Sequence, residues 1–152
     1  MIEKHASAIW KGTLKEGGGT LTTQSGALAD LPYTHATRFG GKTGANPEEL
    51  IGAAHAGCYS MFLAALMGGE GITPESIETT STVSLDPTTE GGPTVKAAHL
   101  VTKVKADAPE AKVRDLAERP DPTAKVGTAI ETPRVSQASA QAPRLPPPRS
   151  RW

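Results

Sequence analysis

The sequence predicts an α+β fold, because strand-like and helical segments follow one another as strands, helix, strands, helix. The strand-like segments are bounded by glycine and proline turns, and the first helical segment is long, apolar and preceded by helix-start signals. Strands grouped between helices are typical of the α+β class. A chain of 152 residues has the length of one domain.

The first part of the chain predicts two strands followed by a loop. Residues 3–14 and 20–25 are strand-like, and three consecutive glycines at 17–19 form a turn between them. Residues 26–46 carry several glycines, so we expect a long loop or an edge segment there.

A long helix is predicted to follow residue 46. Asn46 suits the N-cap, Pro47 suits the first helical position, and Glu48 and Glu49 place acidic side chains in the first turn. Apolar residues recur at helical spacing until two glycines at 68 and 69 end the pattern. Because little of this segment suits contact with water, we expect a central, buried helix rather than a membrane span.

The second part of the chain predicts a hairpin and a short helix. Residues 76–86 and 94–105 are strand candidates around a turn rich in proline, threonine and glycine. Residues 109–118 predict a second helix that begins at Pro109 and has apolar side chains on one side.

The charge distribution divides the chain into two unlike parts. Residues 1–118 carry 10 basic and 14 acidic residues, whereas residues 119–152 carry 6 basic and 2 acidic residues and 7 of the 13 prolines. A segment with so few large apolar residues does not bury enough surface to offset the entropy of ordering. We therefore predict a folded domain over 1–118 and a Pro/Arg-rich, largely disordered tail over 119–152.

Composition excludes several classes of function. With 16 basic and 16 acidic residues the chain lacks the basic surplus that non-specific nucleic-acid or anionic-membrane binding requires. One cysteine excludes a disulfide framework and a four-cysteine zinc site. His35, His55 and His99 have no ligand-spaced partner, so we expect no metal site. The first residues do not resemble a signal segment, and we expect a cytoplasmic protein.

Cys58, Arg38 and Glu48 are the candidates for chemistry. Cys58 falls too far inside the predicted helix for the helix N-terminus to stabilise a thiolate, so a reactive Cys58 needs a cation from elsewhere in the fold. The guanidinium of Arg38 could bridge that thiolate and a carboxylate, for which Glu48 is the candidate. On the residues alone the alternatives stay open: a small apolar cysteine, a solvated loop arginine and a first-turn glutamate.

Helix geometry constrains how these three residues meet. Ten residues separate Glu48 from Cys58, which is about 15 Å along a straight helix. One arginine does not reach both positions on the same helix. If both contact Arg38, we expect a site assembled across a dimer interface or a helix broken between them.

The string from Arg38 to Met61, RFGGKTGANPEELIGAAHAGCYSM, resembles the core of the OsmC/Ohr family of osmotically inducible and organic-hydroperoxide-resistance proteins, and most closely its OsmC branch. Shorter likenesses surround Trp10 and Tyr33 and continue to residue 118. The resemblance implies an OsmC-like α+β fold, with antiparallel sheets wrapped around two long central helices in an intertwined homodimer.

The resemblance also implies a thiol-dependent peroxidase that reduces organic hydroperoxides to alcohols without metal, haem or other cofactor. The family's peroxidatic cysteine falls on Cys58, its arginine on Arg38 and its glutamate on Glu48. Arg38 would then hold Cys58 as a thiolate and orient the peroxide, while Glu48 fixes Arg38. Attack on the peroxide would leave Cys58 as a sulfenic acid, and a lipoyl-type or small thiol is the implied reductant.

The chain departs from the family's pattern after Glu118. The family's second, resolving cysteine stands in a Cys-Pro-Val-Ser-like string, whose nearest echo at residues 132–138 has no cysteine. This departure favours a disturbed reading frame or, in a genuine tail, turnover that depends on an outside thiol and leaves Cys58 open to overoxidation. Two other functions stay open: a non-catalytic OsmC-like dimeric scaffold or hydrophobic-ligand binder, and an interaction protein acting through the proline–arginine tail.

Overall fold

The computed structural model describes residues 1–120 and 129–137, and within these ranges it has the predicted α+β architecture of two three-stranded sheets and three helices. The elements are β1 (Ala6–Lys11), β2 (Gly18–Thr23), β3 (Leu31–Thr34), α1 (His35–Phe39), α2 (Pro47–Gly69), β4 (Pro74–Asp86), β5 (Thr94–Ala106), α3 (Glu110–Ala117) and β6 (Ala129–Gln137). The interaction role proposed for the proline–arginine tail falls mainly on residues outside these ranges.

The first sheet is an antiparallel meander in the order β1-β2-β3. Its first two strands confirm the predicted pair, but β1 is shorter than predicted and β2 begins two residues early, at Gly18, inside the predicted glycine turn. Strand β3 and helix α1 lie in the segment 26–46 that was expected to be a loop, because elements of four and five residues are too short to show periodicity. Among the described residues, none in these three strands is buried.

Helix α2 begins as the sequence predicts and continues for 23 residues. The Asn46 side chain accepts a hydrogen bond from the Glu49 amide at 2.8 Å, and Pro47 occupies the first turn. Its buried residues are Gly52, Tyr59, Leu63 and Met67. The opposite face is open in the single chain, where Ile51 is 46% and Met61 76% exposed. The prediction of a central, buried helix is therefore confirmed for one face of α2 only.

The second sheet has the order β4-β5-β6. Strands β4 and β5 form the predicted antiparallel hairpin, and β6 pairs with β5 in parallel. The β5–β6 register shifts between His99 and Val101, opposite Pro133, which has no amide hydrogen to donate to the ladder. Strand β6 lies within residues 119–152, where the sequence predicts disorder; residues 121–128 and 138–152 are outside the described residues, and the prediction for them stays a prediction.

One hydrophobic core joins α2, α3 and β5. The hydroxyl of Tyr59, a member of this core, donates to the Ala117 carbonyl at 2.8 Å. The partly buried Ser60 hydroxyl lies 2.8 Å from that of Thr79, which lies 3.1 Å from the fully buried Thr102 hydroxyl, so the Thr102 hydroxyl has a partner. The buried apolar members are Tyr59, Leu63, Met67, Leu100, Val104, Val113, Leu116 and Ala117.

By length and composition alone, α2 is apolar enough to cross a membrane, with a mean hydropathy of 1.5 over its most apolar window. Only 22% of that window is buried in the single chain. The side of the helix that faces β4 is nevertheless polar in part, since His55 and Ser60 reach hydroxyls of that strand. This side is a packing surface for the sheet.

An ion-pair cluster ties the end of α2 to α3. Lys112 Nζ lies 2.8 Å from Glu70 Oε2, and Arg119 Nη2 lies 4.0 Å from Glu70 Oε1. The hydrogen bond and the charge of Lys112 lower the pKa of the Glu70 carboxyl below its ordinary value of 4.5. The folded chain therefore binds this proton less readily than the unfolded chain.

We expect Glu70→Gln to lower the free energy of unfolding at pH 7 and to have progressively less effect in acid. A carboxyl with a lowered folded-state pKa stabilises the protein fully above its unfolded pKa, near 4.5, and loses that contribution as the pH falls through the folded-state pKa. Denaturant titrations at several pH values measure the difference. Glu90→Gln, in the exposed turn after β4, is the matched control, and a pH-independent loss in Glu70→Gln would contradict the assignment.

Candidate active site

Arg38 and Glu48 form a two-point ion pair. Arg38 Nη2 lies 2.6 Å from Glu48 Oε1, and Arg38 Nε lies 3.1 and 3.3 Å from Oε1 and Oε2. The Glu48 side chain is 13% exposed and that of Arg38 is 32% exposed. Two-point binding fixes the plane of the guanidinium, and within the described residues its Nη1 group has no hydrogen-bond acceptor.

The short helix α1 brings Arg38 to the first turn of α2. Thr34 caps α1, because its side chain accepts from the Thr37 amide and its own amide donates to the Thr37 hydroxyl. Arg38 follows in the last turn of α1, and Glu48 lies in the first turn of α2. The loop between the two helices is thus short enough for both side chains to meet.

An apolar groove of about 410 Å³ lies beside Arg38. The Arg38 Cζ atom lies 4.9 Å from the centre of the Phe39 ring, whose other neighbour is His35 at 5.0 Å. Trp10 and Tyr33 form the far wall with ring centres 5.2 Å apart. The other lining residues are Gly12, Leu14, Thr34 and Pro47.

The aromatic wall depends on Gly19, which sequence reasoning assigned only to a turn. Gly19 lies between Trp10 and Tyr33 in the register of the first sheet. A Cβ atom there would come within 2.7 Å of Tyr33 Cε1 and 3.0 Å of Trp10 Cε3, and would collide with the Ile9 carbonyl. The sequence pointed to this wall only through the short family likenesses around Trp10 and Tyr33. It did not indicate that the two rings are in contact.

The single chain does not bring Cys58 to the Arg38–Glu48 pair. Arg38 contacts Glu48 and Phe39, whereas Cys58 lies on the exposed face of α2. Because α2 is a continuous helix, the ten residues from Glu48 to Cys58 amount to a rise of about 15 Å. Of the two alternatives left by the sequence, a broken helix is excluded.

The described residues offer no metal centre. No group of three or more His, Cys, Asp or Glu side chains among them is arranged to hold an ion. His35 lines the groove, and His55 Nδ1 lies 3.3 Å from the Ser81 hydroxyl on β4. What the arrangement offers is an oriented cation, an apolar groove and a thiol on the neighbouring helix.

Comparisons with known proteins place these features in a family context. The family model described as "OsmC-like protein" matches residues 40–135, and so extends past residue 118, where sequence analysis ends the folded domain. The protein called Peroxiredoxin OsmC from Escherichia coli (strain K12) is 52% identical over 103 residues, which cover 68% of this chain and 67% of that protein. The match to the family model includes Glu48 and Cys58, and Arg38 lies two residues before its start.

Solved structures share the fold. The organic hydroperoxide resistance protein OhrB of Bacillus subtilis superposes with a TM-score of 0.64 at 24% identity, over 87% of this chain and 98% of that chain. An organic hydroperoxide resistance protein OsmC from Legionella pneumophila gives a TM-score of 0.64 at 23% identity, over 87% of this chain and 96% of that chain. At these identities the structures show a common fold.

Gly19→Ala is expected to destabilise the first sheet by about 1–3 kcal/mol, because the added Cβ overpacks against Tyr33 and the Ile9 carbonyl. Denaturant unfolding followed by circular dichroism measures the loss. Gly18→Ala is the matched control, since a Cβ there meets Thr34 Cγ2 at an ordinary 3.6 Å. Equal effects of the two substitutions would contradict the proposed need for a glycine at position 19.

Proposed function

This chain belongs to the OsmC-like protein family, and from that membership we propose that it is a thiol-dependent peroxidase that reduces organic hydroperoxides to alcohols. The observation that carries the proposal is the oriented guanidinium of Arg38, held by Glu48 beside an apolar groove. The related protein from Escherichia coli is called a peroxiredoxin, and the structural relatives are called organic hydroperoxide resistance proteins. Cys58 is the one residue of the chain suited to be the nucleophile.

The proposed reaction is a two-electron transfer from sulfur to the peroxide. The Cys58 thiolate attacks the distal oxygen of ROOH, an S–O bond forms, and the O–O bond breaks. The leaving alkoxide takes up a proton and departs as the alcohol, while Cys58 becomes a sulfenic acid. Arg38 stabilises the thiolate and donates N–H hydrogen bonds to the peroxide oxygens from the nitrogen that Glu48 leaves open.

A homodimer completes this site. The exposed face of α2 carries an apolar stripe at the seam spacing of packed helices: Ile51, Ala54, Cys58, Met61 and Ala65. Packing this stripe against a second chain covers it and brings Cys58 close to the partner's α1–α2 junction. We therefore assign Arg38 and Glu48 to one chain of each active site and Cys58 to the other.

Turnover requires an external thiol, because the sequence has one cysteine. A thiol condenses with the Cys58 sulfenic acid to give a mixed disulfide and water, and a second thiol releases Cys58 and leaves as the disulfide. A lipoyl-type dithiol supplies both thiols in one molecule. Such a reductant pool is cytoplasmic, which is where we place the protein.

The second candidate function is a non-catalytic dimer that binds a hydrophobic ligand. The groove of about 410 Å³ with its aromatic wall favours this alternative equally, because a groove alone does not distinguish a substrate from a ligand. Only chemistry at Cys58 separates the two candidates.

One equivalent of cumene hydroperoxide is expected to oxidise Cys58 to the sulfenic acid, which adds one oxygen, about 16 Da by mass spectrometry of the intact protein. Cys58→Ser is expected to abolish the reaction, and Arg38→Met to slow it at least about tenfold through the lost cation. Arg114→Met, on the surface of α3, is the matched control. No peroxide-dependent change at Cys58 would favour the non-catalytic binder, and an unaltered rate in Arg38→Met would contradict the proposed role of Arg38.

Co-expression of an Arg38→Met chain with a Cys58→Ser chain tests the shared site. A mixed dimer then has one site with both lesions and one intact site, so random assembly restores about a quarter of the wild-type activity. Each variant alone is expected to be nearly inactive. No recovery in purified mixed dimers would mean that Arg38 and Cys58 of the same chain act together.

A further inference from the structure

Thr37 joins the two helices that carry Arg38 and Glu48. Its hydroxyl accepts a hydrogen bond from the Thr34 amide at 3.0 Å, and lies 2.9 Å from the Thr34 carbonyl and 2.8 Å from the Ala45 carbonyl. The first two contacts are inside the capping box of α1. The third reaches across the loop to the residue before the N-cap of α2.

The methyl group of Thr37 anchors the same loop. Gly44 has a φ of +153° and packs so closely that a Cβ on it would come within 2.6 Å of Thr37 Cγ2. Next to it, Ala45 forms a parallel bridge with Tyr33 at the end of β3. The half-buried Thr37 side chain thus contacts the start of α1 and the residues just before α2, and so fixes both ends of the connecting segment.

This junction sets the geometry of the ion pair. Arg38 is the residue after Thr37, and Glu48 is three residues beyond Ala45, so the Thr37–Ala45 hydrogen bond fixes the two backbones from which these side chains extend. A five-residue helix such as α1 does not hold its own conformation, because a nucleus of this length is unstable in water. Its orientation comes from its caps and anchors.

We propose that Thr37 is a positioning residue, whose hydroxyl orients Arg38 on Glu48 and thereby controls the ionisation of Cys58. The proposal rests on the proposed function, in which Arg38 acts on Cys58. The hydroxyl contacts neither the thiol nor the peroxide, and its effect passes through the guanidinium. Loss of the hydroxyl leaves the charge of Arg38 in place and removes the constraint on where it points.

Thr37→Val and Thr37→Ser separate the hydroxyl from the methyl group. Thr37→Val keeps the shape that packs on Gly44 and loses the bonds to Thr34 and Ala45, whereas Thr37→Ser keeps the hydroxyl. The readouts are the pH profile of Cys58 alkylation by iodoacetamide and the rate of oxidation by cumene hydroperoxide. Thr37→Val is expected to move the pH midpoint upward by about one unit and to slow oxidation at pH 7 about tenfold. Thr37→Ser is expected to stay within about twofold of wild type.

A merely structural role predicts a different result. The same substitution is made in an Arg38→Met background, where an effect that passes through Arg38 disappears. Thr37→Ala, which adds no bulk, gives the same answer if Thr37→Val does not fold. A wild-type pH profile in folded Thr37→Val, or a loss that persists without Arg38, would overturn the proposal. An unaltered profile in Arg38→Met alone would instead overturn the proposed function.

Discussion

The candidate site depends on the ion pair between Arg38 and Glu48. A carboxylate that is 13% exposed has lost much of its hydration, and this is favourable only when a hydrogen-bonded cation replaces the water. The first turn of α2 adds the favourable dipole of its peptide groups. Glu48 offsets part of the charge of Arg38, which weakens the attraction of the guanidinium for another anion. The ion pair therefore fixes the orientation of the Arg38 guanidinium and leaves its Nη1 group to bind a further group.

The two halves of the chain differ in how much they bury. The second half has a core between α2, α3 and β5, whereas the described strands of the first sheet bury no residue. Three short strands without a covered face have little independent stability. The first sheet and the exposed stripe of α2 both need a cover, and a symmetric second copy supplies both at once. This shared need is the physical basis of the proposed homodimer.

The sequence predicted the elements whose signals are local. Asn46 and Pro47 marked the start of α2, and the turn rich in proline, threonine and glycine marked the hairpin of β4 and β5. Glu48 was named as a carboxylate partner for Arg38, and the structure joins them. Strand β3 and helix α1 were missed because so few residues carry no periodicity, and the role of Gly19 was missed because the Trp10–Tyr33 contact is tertiary. Strand β6 forms by pairing with the edge of β5, which is a tertiary contact. The residues near Pro133 carry no local pattern that predicts a strand.

Under the proposed function, a peroxidase with one cysteine must let a thiol reach the oxidised Cys58 and must keep further peroxide away from it. The Cys58 sulfenic acid persists until a thiol arrives, and each further peroxide that reaches it first yields the sulfinic acid. Under the proposed function, the apolar groove beside Arg38 disfavours small, strongly hydrated oxidants, because they lose water on entry without gaining a contact in return. A lipoyl-type dithiol on an aliphatic arm gains apolar contacts in the same groove as the alkyl hydroperoxide. Under the proposed function, the apolar groove therefore selects substrate and reductant by one physical property, and this selection takes over part of the protection that a second cysteine would give.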